Sequence, residues 1–183
     1  MLTLWYDDRR KLFDFCKKQF SSYKELAEKA IVQIPEASLF YQSSKESNSI
    51  TMIIQHMSGN MLSRWTDFLT TDGEKDWRLR DEEFEVAINT KENMMQVWEN
   101  GWQCLFAALN SLCPDQMQQT IFIRKEPHTV LEAISRQIEH YSYHVWQIVF
   151  IAKMQNDEFN SLSIPKNKQQ GHSKLYKHGH AST

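Results

Sequence analysis

Two histidines four residues apart are the first residues in this chain whose types and spacing could do chemistry. They are His140 and His144, in the run Arg136-Gln137-Ile138-Glu139-His140-Tyr141-Ser142-Tyr143-His144-Val145-Trp146. On an α-helix a step of four is about one turn, roughly 6 Å of rise, so both imidazoles leave the same face. Two rings so placed can grip one metal ion. The apolar stripe Val130, Ile134, Ile138, Tyr141, Val145, Ile148 and Ala152 runs through the same segment, and both histidines lie against it. They point into or along a core, where polar rings need partners. A core histidine bonded to a backbone carbonyl meets that need as well as a metal ligand does. A third ligand would decide between them, and His56 offers one.

His56 begins a polar flank on another helical segment. Asn60, Ser63 and Asp67 follow it at steps of 4, 3 and 4, and Arg64 borders the line. Beside Met and Ile residues such a flank can be solvated or can line a pocket, with Asn60 and Arg64 as the pocket residues. If this helix faces the one bearing His140 and His144, three nitrogens surround one ion and leave positions open for water or substrate. Imidazoles suit zinc, nickel, copper or iron. The Glu-x-x-His repeats of a di-iron carboxylate site are absent, which argues for a mononuclear site. An ion so held could lower the pKa of a bound water or thiol, for hydrolysis or thiol transfer, so no protein side chain is assigned as the catalytic group. Gln137, Glu139 and Asp67 are candidate acceptors for the ligands' second ring N–H. No Gly-rich phosphate loop, Ser-His-Asp spacing or paired-carboxylate motif competes.

The elements that must position these residues are legible from periodicity. Phe13, Cys16, Phe20, Tyr23, Ala27, Ala30 and Ile34 recur at alternating steps of three and four, predicting a helix over residues 5–34 that Pro35 stops. Cys16 lies in this seam as a packed thiol. A Ser-rich connection follows, and Asn48 is placed to cap a second helix over 49–69. The Asp72-Gly73 turn opens a loop over 70–83, whose Arg78 and Arg80 could pair with nearby acids or reach an anionic ligand. Asp81 is placed to cap a third helix over 82–112, whose Trp98 and Trp102 belong to the core or a dimer surface. Thr120-Ile121-Phe122-Ile123-Arg124 reads as a short strand or strap. Pro127 suits the first turn of a fourth helix over 128–155. Four long amphipathic helices with no strand-rich half predict an all-α, four-helix bundle over residues 1–165. Residues 166–183 form a polar tail, whose His178 and His180 offer only loose metal binding.

Composition narrows the function classes. The 183 residues, 41% hydrophobic with six Trp, suit one domain with a sizeable core. A net charge of −2 gives no global basic field for nucleic acid or anionic membrane. Three cysteines without a CxxC spacing argue against a disulfide framework and for a reducing cytoplasm. Neither a signal peptide nor an apolar run of membrane-spanning length is legible.

The strings "IIQHMSGNMLSRWTDFLTTDGEKDWRLRDEEF", "IRKEPHTVLEAISRQIEHYSYHVWQIVFIAK" and "LSIP" together resemble the DinB/YfiT-like superfamily, in a bacterial branch of unknown function, over about residues 10–165. The resemblance implies a four-helix bundle with one divalent transition metal, nickel or zinc, held by His56, His140 and His144. It implies a homodimer and, by analogy with relatives, an S-transferase or isomerase using a low-molecular-weight thiol. The alternative is a non-catalytic, metal-stabilised bundle acting in stress response or ligand binding. Trp146 departs from the small glycine of that branch, which predicts altered packing beside the site or a partly filled pocket.

Overall fold

The alternating apolar spacing becomes four helices in a computed structural model that describes residues 2–85 and 88–162, with side chains from residue 9 onward. They are α1 (Leu2–Ile31), α2 (Ile50–Trp65), α3 (Lys91–Ser111) and α4 (Val130–Met154). The all-α bundle expected from the pattern is the fold. The tail over 166–183, with His178 and His180, lies outside the described residues.

Helix α1 packs along α4, α2 packs along α3, and α2 and α4 meet across the middle. The buried stripe of each helix supplies one core, in which Phe20, Trp98, Trp102 and Tyr141 are essentially solvent-free. Trp98 and Trp102 are thus core residues. Their rings meet edge-on at 5.3 Å, and Trp102 meets Tyr141 the same way at 5.9 Å. Gly101 lets α2 and α3 approach closely, because a Cβ there would sit 2.9 Å from the Cα of Ser58. Cys16 is buried in the seam, and burial pushes its thiol pKa up.

The helix ends differ from the expectation at several points, and local chemistry explains each. Helix α1 stops at Ile31 and turns before Pro35. The cap of α2 is Ser49, whose hydroxyl accepts from the Met52 amide at 3.2 Å, and not Asn48. Helix α2 ends at Trp65, because Thr66 is extended and Asp67 is left-handed at φ 49. Helix α3 begins only at Lys91, with Thr90 as its cap. The acidic run read as its start, Asp81–Phe84, is a separate 3-10 turn, so Asp81 caps no helix. Pro127 lies in a strand, and α4 starts after Thr129, which forms a reciprocal capping box with Glu132.

The extended segment is one arm of a hairpin, β1 (Thr120–Ile123) with β2 (Glu126–Thr129), antiparallel with Ile123 opposite Glu126. The two turn residues, Arg124 and Lys125, both have positive φ, at 56 and 65. Neither is the glycine or asparagine such a turn favours. Asp72 compensates: its carboxylate accepts from the Arg124 amide at 2.8 Å, the Lys125 amide at 2.6 Å and the Glu74 amide at 2.7 Å. Gly73 donates its amide to the Phe122 carbonyl at 2.8 Å, completing the join between this hairpin and the α2–α3 connection.

Asp72→Ala is therefore expected to lower stability by about 1–2 kcal/mol, from the loss of hydrogen bonds to a charged acceptor. Partial desolvation opposes ionisation of Asp72, but these amides outweigh it and hold the carboxyl below its ordinary value of 3.8. The stabilisation is fully present above that value and is lost as pH falls through the lowered one. Urea denaturation of both chains at pH 7 and pH 3 measures it, and the gap between them should narrow at pH 3.

Candidate functional site

Because α2 and α4 face each other, the three histidines meet. The Nε2 atoms of His56 and His140 are 3.3 Å apart, and those of His144 and His140 are 3.1 Å apart. One nitrogen from each of the three lies within 4.8 Å of the other two. Nitrogens bound at about 2.0–2.1 Å to one tetrahedral ion would stand about 3.3 Å apart. His56 and His144 are buried and His140 is half-buried.

The opposite ring nitrogens show which face of each imidazole is free. The Nδ1 atom of His56 lies 2.9 Å from Glu83 Oε2, which can only accept. The Nδ1 of His140 is 3.4 Å from the Gln137 amide oxygen, and that of His144 is 3.0 Å from the Gln147 amide oxygen. Each ring thus donates outward and turns an Nε2 lone pair inward. Three lone pairs aimed at one another repel, and a cation among them removes that repulsion. The donor set therefore fits a metal ion, and the outer nitrogen of each histidine is already engaged.

Two of the rings, His140 and His144, are also held neutral, as metal ligands must be. Burial, followed by the neighbouring His144 and His56, lowers the pKa of His140 to about 3. Burial and His56 lower that of His144 to about 4.

Glu83 is the residue that sequence reasoning missed. It sits on the 3-10 turn of the α2–α3 connection, 27 residues from His56. Arg78 grips it with two bonds, Nε to Oε1 at 2.7 Å and Nη2 to Oε2 at 2.9 Å. Burial alone would raise the Glu83 pKa, yet the bonds from His56 and Arg78 outweigh it and hold the carboxyl below the usual range. The adjacent Phe84 stacks on the His56 ring at 4.9 Å. Gln147 was likewise missed as the partner of His144.

One signal for Glu83 was present in the chain. Gly59 lies inside α2, where glycine costs about 1 kcal/mol relative to alanine. A Cβ at Gly59 would sit 2.1 Å from Glu83 Oε1, so the missing side chain is the space the carboxylate occupies. Gly59→Ala is expected to displace Glu83 from His56 and weaken metal affinity several-fold, although alanine favours helix. Competition with a chromogenic chelator measures this.

The other residues singled out in the sequence divide clearly. Asn60 and Arg64 line a cavity of about 460 Å³ that opens beside His56 and His140. Gln137 reaches His140 as expected. Glu139 lines the cavity but makes no bond to any of the three histidines, and Asp67 sits at the end of α2 outside the cavity lining. Arg78 pairs with Glu83, the acid-pairing outcome, whereas Arg80 makes no ion pair among the described residues. Trp146 lies elsewhere: it is 56% exposed and lines a separate groove with Leu26, Val149 and Phe159. It therefore does not fill the cavity beside the histidines, because two residues on from His144 a helix has turned by about 200°.

No curated protein and no solved structure matches the chain. The model of one family, described as a protein of unknown function, matches residues 8–168.

Proposed function

From the premise that the chain belongs to that family, DUF1572, we propose that it is a metal-dependent enzyme of the DinB/YfiT-like type. Its mononuclear site is made by His56, His140 and His144, and its reaction is S-transfer with a low-molecular-weight thiol. One observation carries the reading: three inward-facing imidazole lone pairs meet beside an open cavity. A site built only to hold the bundle together would not need that access. Nickel or zinc suits three imidazoles, and such an ion supplies Lewis acidity toward a thiol or water entering the cavity.

The chain's own residues have separate roles. Glu83, Gln137 and Gln147 fix the ring orientations. Asn60 presents an amide to the cavity. Trp65 donates its indole N–H to the Tyr141 hydroxyl at 3.2 Å, and that hydroxyl donates to Asn60 Oδ1 at 3.0 Å. This relay turns the amide nitrogen of Asn60 away from Tyr141, so it is available to a ligand.

The proposal includes a homodimer and a cytoplasmic location. Tyr143, Trp146, Phe150 and Met154 form an exposed apolar line on α4, each more than half exposed. Such a line is suited to burial against a second copy. The three free cysteines, with Cys113 exposed, suit a reducing compartment. Among the described residues no helix is long and apolar enough to cross a membrane.

The test is turnover by metal-loaded protein on a panel of low-molecular-weight thiols with an electrophilic acceptor, followed as loss of free thiol. Metal-dependent loss supports the enzyme. Full metal loading without turnover across the panel would favour the non-catalytic, metal-stabilised bundle.

A further inference from the structure

The cavity beside the histidines has a charge pattern that holding a metal does not explain. Five arginines line it: Arg64, Arg78, Arg80, Arg124 and Arg136. Arg78 is neutralised by Glu83, while Arg64 and Arg124 share the one carboxylate of Glu74, at 3.1 and 2.9 Å. Arg80 and Arg136 make no ion pair among the described residues. Among the described residues, the only carboxylate in the lining is that of Glu139. A chain of net charge −2 thus concentrates positive charge at this one cavity.

The placement of the two unpaired arginines is informative. Arg136 lies one turn before His140 on α4, and Arg80 lies three residues before Glu83. Each is thereby tied to the histidine cluster by a short rigid segment. A guanidinium presents a planar, charged fork of donors that matches a carboxylate or phosphate, whereas a neutral acceptor gains only the weaker, uncharged hydrogen bond. Asn60 adds an independent sign of a ligand. It is 5% exposed, the Tyr141 relay occupies its oxygen, and its amide nitrogen has no protein partner among the described residues.

We propose that this cavity recognises a small molecule carrying an oxyanion, a carboxylate or phosphate group. Arg80 and Arg136 clamp the anion, and Asn60 donates to a neutral acceptor nearer the histidines. The proposal rests on the enzyme reading of the same site and names its substrate class: the molecule brought to the metal is anionic, with its charge held several ångströms from the reacting group. The local field also favours capture of such a molecule at low salt.

Calorimetric titration of zinc-loaded full-length protein with succinate, with inorganic phosphate and with neutral succinamide tests this. Wild type is expected to bind at least one of the anions and not succinamide. Binding of succinate alone identifies a carboxylate ligand, and binding of phosphate alone identifies a phosphate ester. The Arg80→Ala/Arg136→Ala double variant should lose at least about tenfold in anion affinity, while Arg→Lys at both positions retains part of it. Zinc content and circular dichroism of the variants should match wild type. Binding of succinamide as tight as succinate, unchanged anion affinity in the double variant, or no anion binding by folded, zinc-loaded wild type would each overturn the proposal. Failure of the three-histidine reading shows separately, as zinc retained by the histidine variants.

Discussion

The His140→Ala variant is expected to contain no stoichiometric transition metal, against about one ion per chain in wild type purified without an affinity tag. His140 is the central member of the cluster. Its Nε2 lies 3.3 Å from that of His56 and 3.1 Å from that of His144, and the rings of those two also meet, 4.9 Å apart between centroids. Removing it leaves two imidazoles from different helices, and two nitrogens bind an ion far more weakly than three. The bundle itself should survive, because His140 is half-buried and its neighbours Tyr141 and Val145 carry the core contacts of that turn. Elemental analysis beside circular dichroism checks both points. Full metal content in a folded His140→Ala protein would show that the ion is held elsewhere.

The second large effect is expected at Glu83. Replacement by alanine leaves the guanidinium of Arg78, whose side chain is only 2% exposed, with the longer 3.8 Å pairing to Glu74 in place of its close bonds to Glu83, and leaves His56 Nδ1 without its acceptor. Breaking a buried pair from one side costs about 3–5 kcal/mol. Removing the acceptor behind a ligand histidine costs about 10–100-fold in metal affinity. Glu83→Gln keeps an oxygen for His56 and most of the shape, so it should retain more of both. Denaturant midpoints and chelator competition, read for the two variants together, separate the effects. If Glu83→Ala lost stability but bound metal as tightly as wild type, the carboxylate would be a purely structural partner of Arg78. If both were unchanged, the Glu83–His56 bond would have no role in the site.

The contrast between what the chain reveals by itself and what folding adds follows the range of the interactions. The four helices were legible because their apolar spacing repeats over several turns. His140 and His144 were legible because a helix turns a step of four into one face. His56, Asn60 and Arg64 could be grouped by the same rule on α2. Glu83 could not be named from the chain: Gly59 marks a space on α2, but nothing periodic ties a loop carboxylate to a histidine 27 residues earlier. Its acidic neighbours Glu82 and Asp81 look like the start of a helix, and Phe84 and Ile88 are spaced as helix residues would be. The hairpin was half-legible: β1 has the alternation of a strand, but the turn at Arg124 and Lys125 carries none of the usual residues. It is held from outside by Asp72, 52 residues away from Arg124. Trp146 shows the opposite failure, since proximity in sequence to His144 suggested proximity to the site, and the helix turned it away.

The α2–α3 connection brings three kinds of residue into one stretch: Glu83 against a ligand histidine, Arg78 locking Glu83, and Arg80 free in the cavity. The helices supply the histidines together with Asn60, Arg64, Arg136, Gln137 and Gln147, and the connection supplies the support behind His56 and Arg80 of the cavity. That division makes the protein unusually open to redesign. A library that varies residues 79–82 while keeping Arg78 and Glu83 would alter the cavity wall without touching the ion's ligands or their orientation. Selectivity for the incoming molecule could then be evolved on a fixed metal centre, one loop at a time.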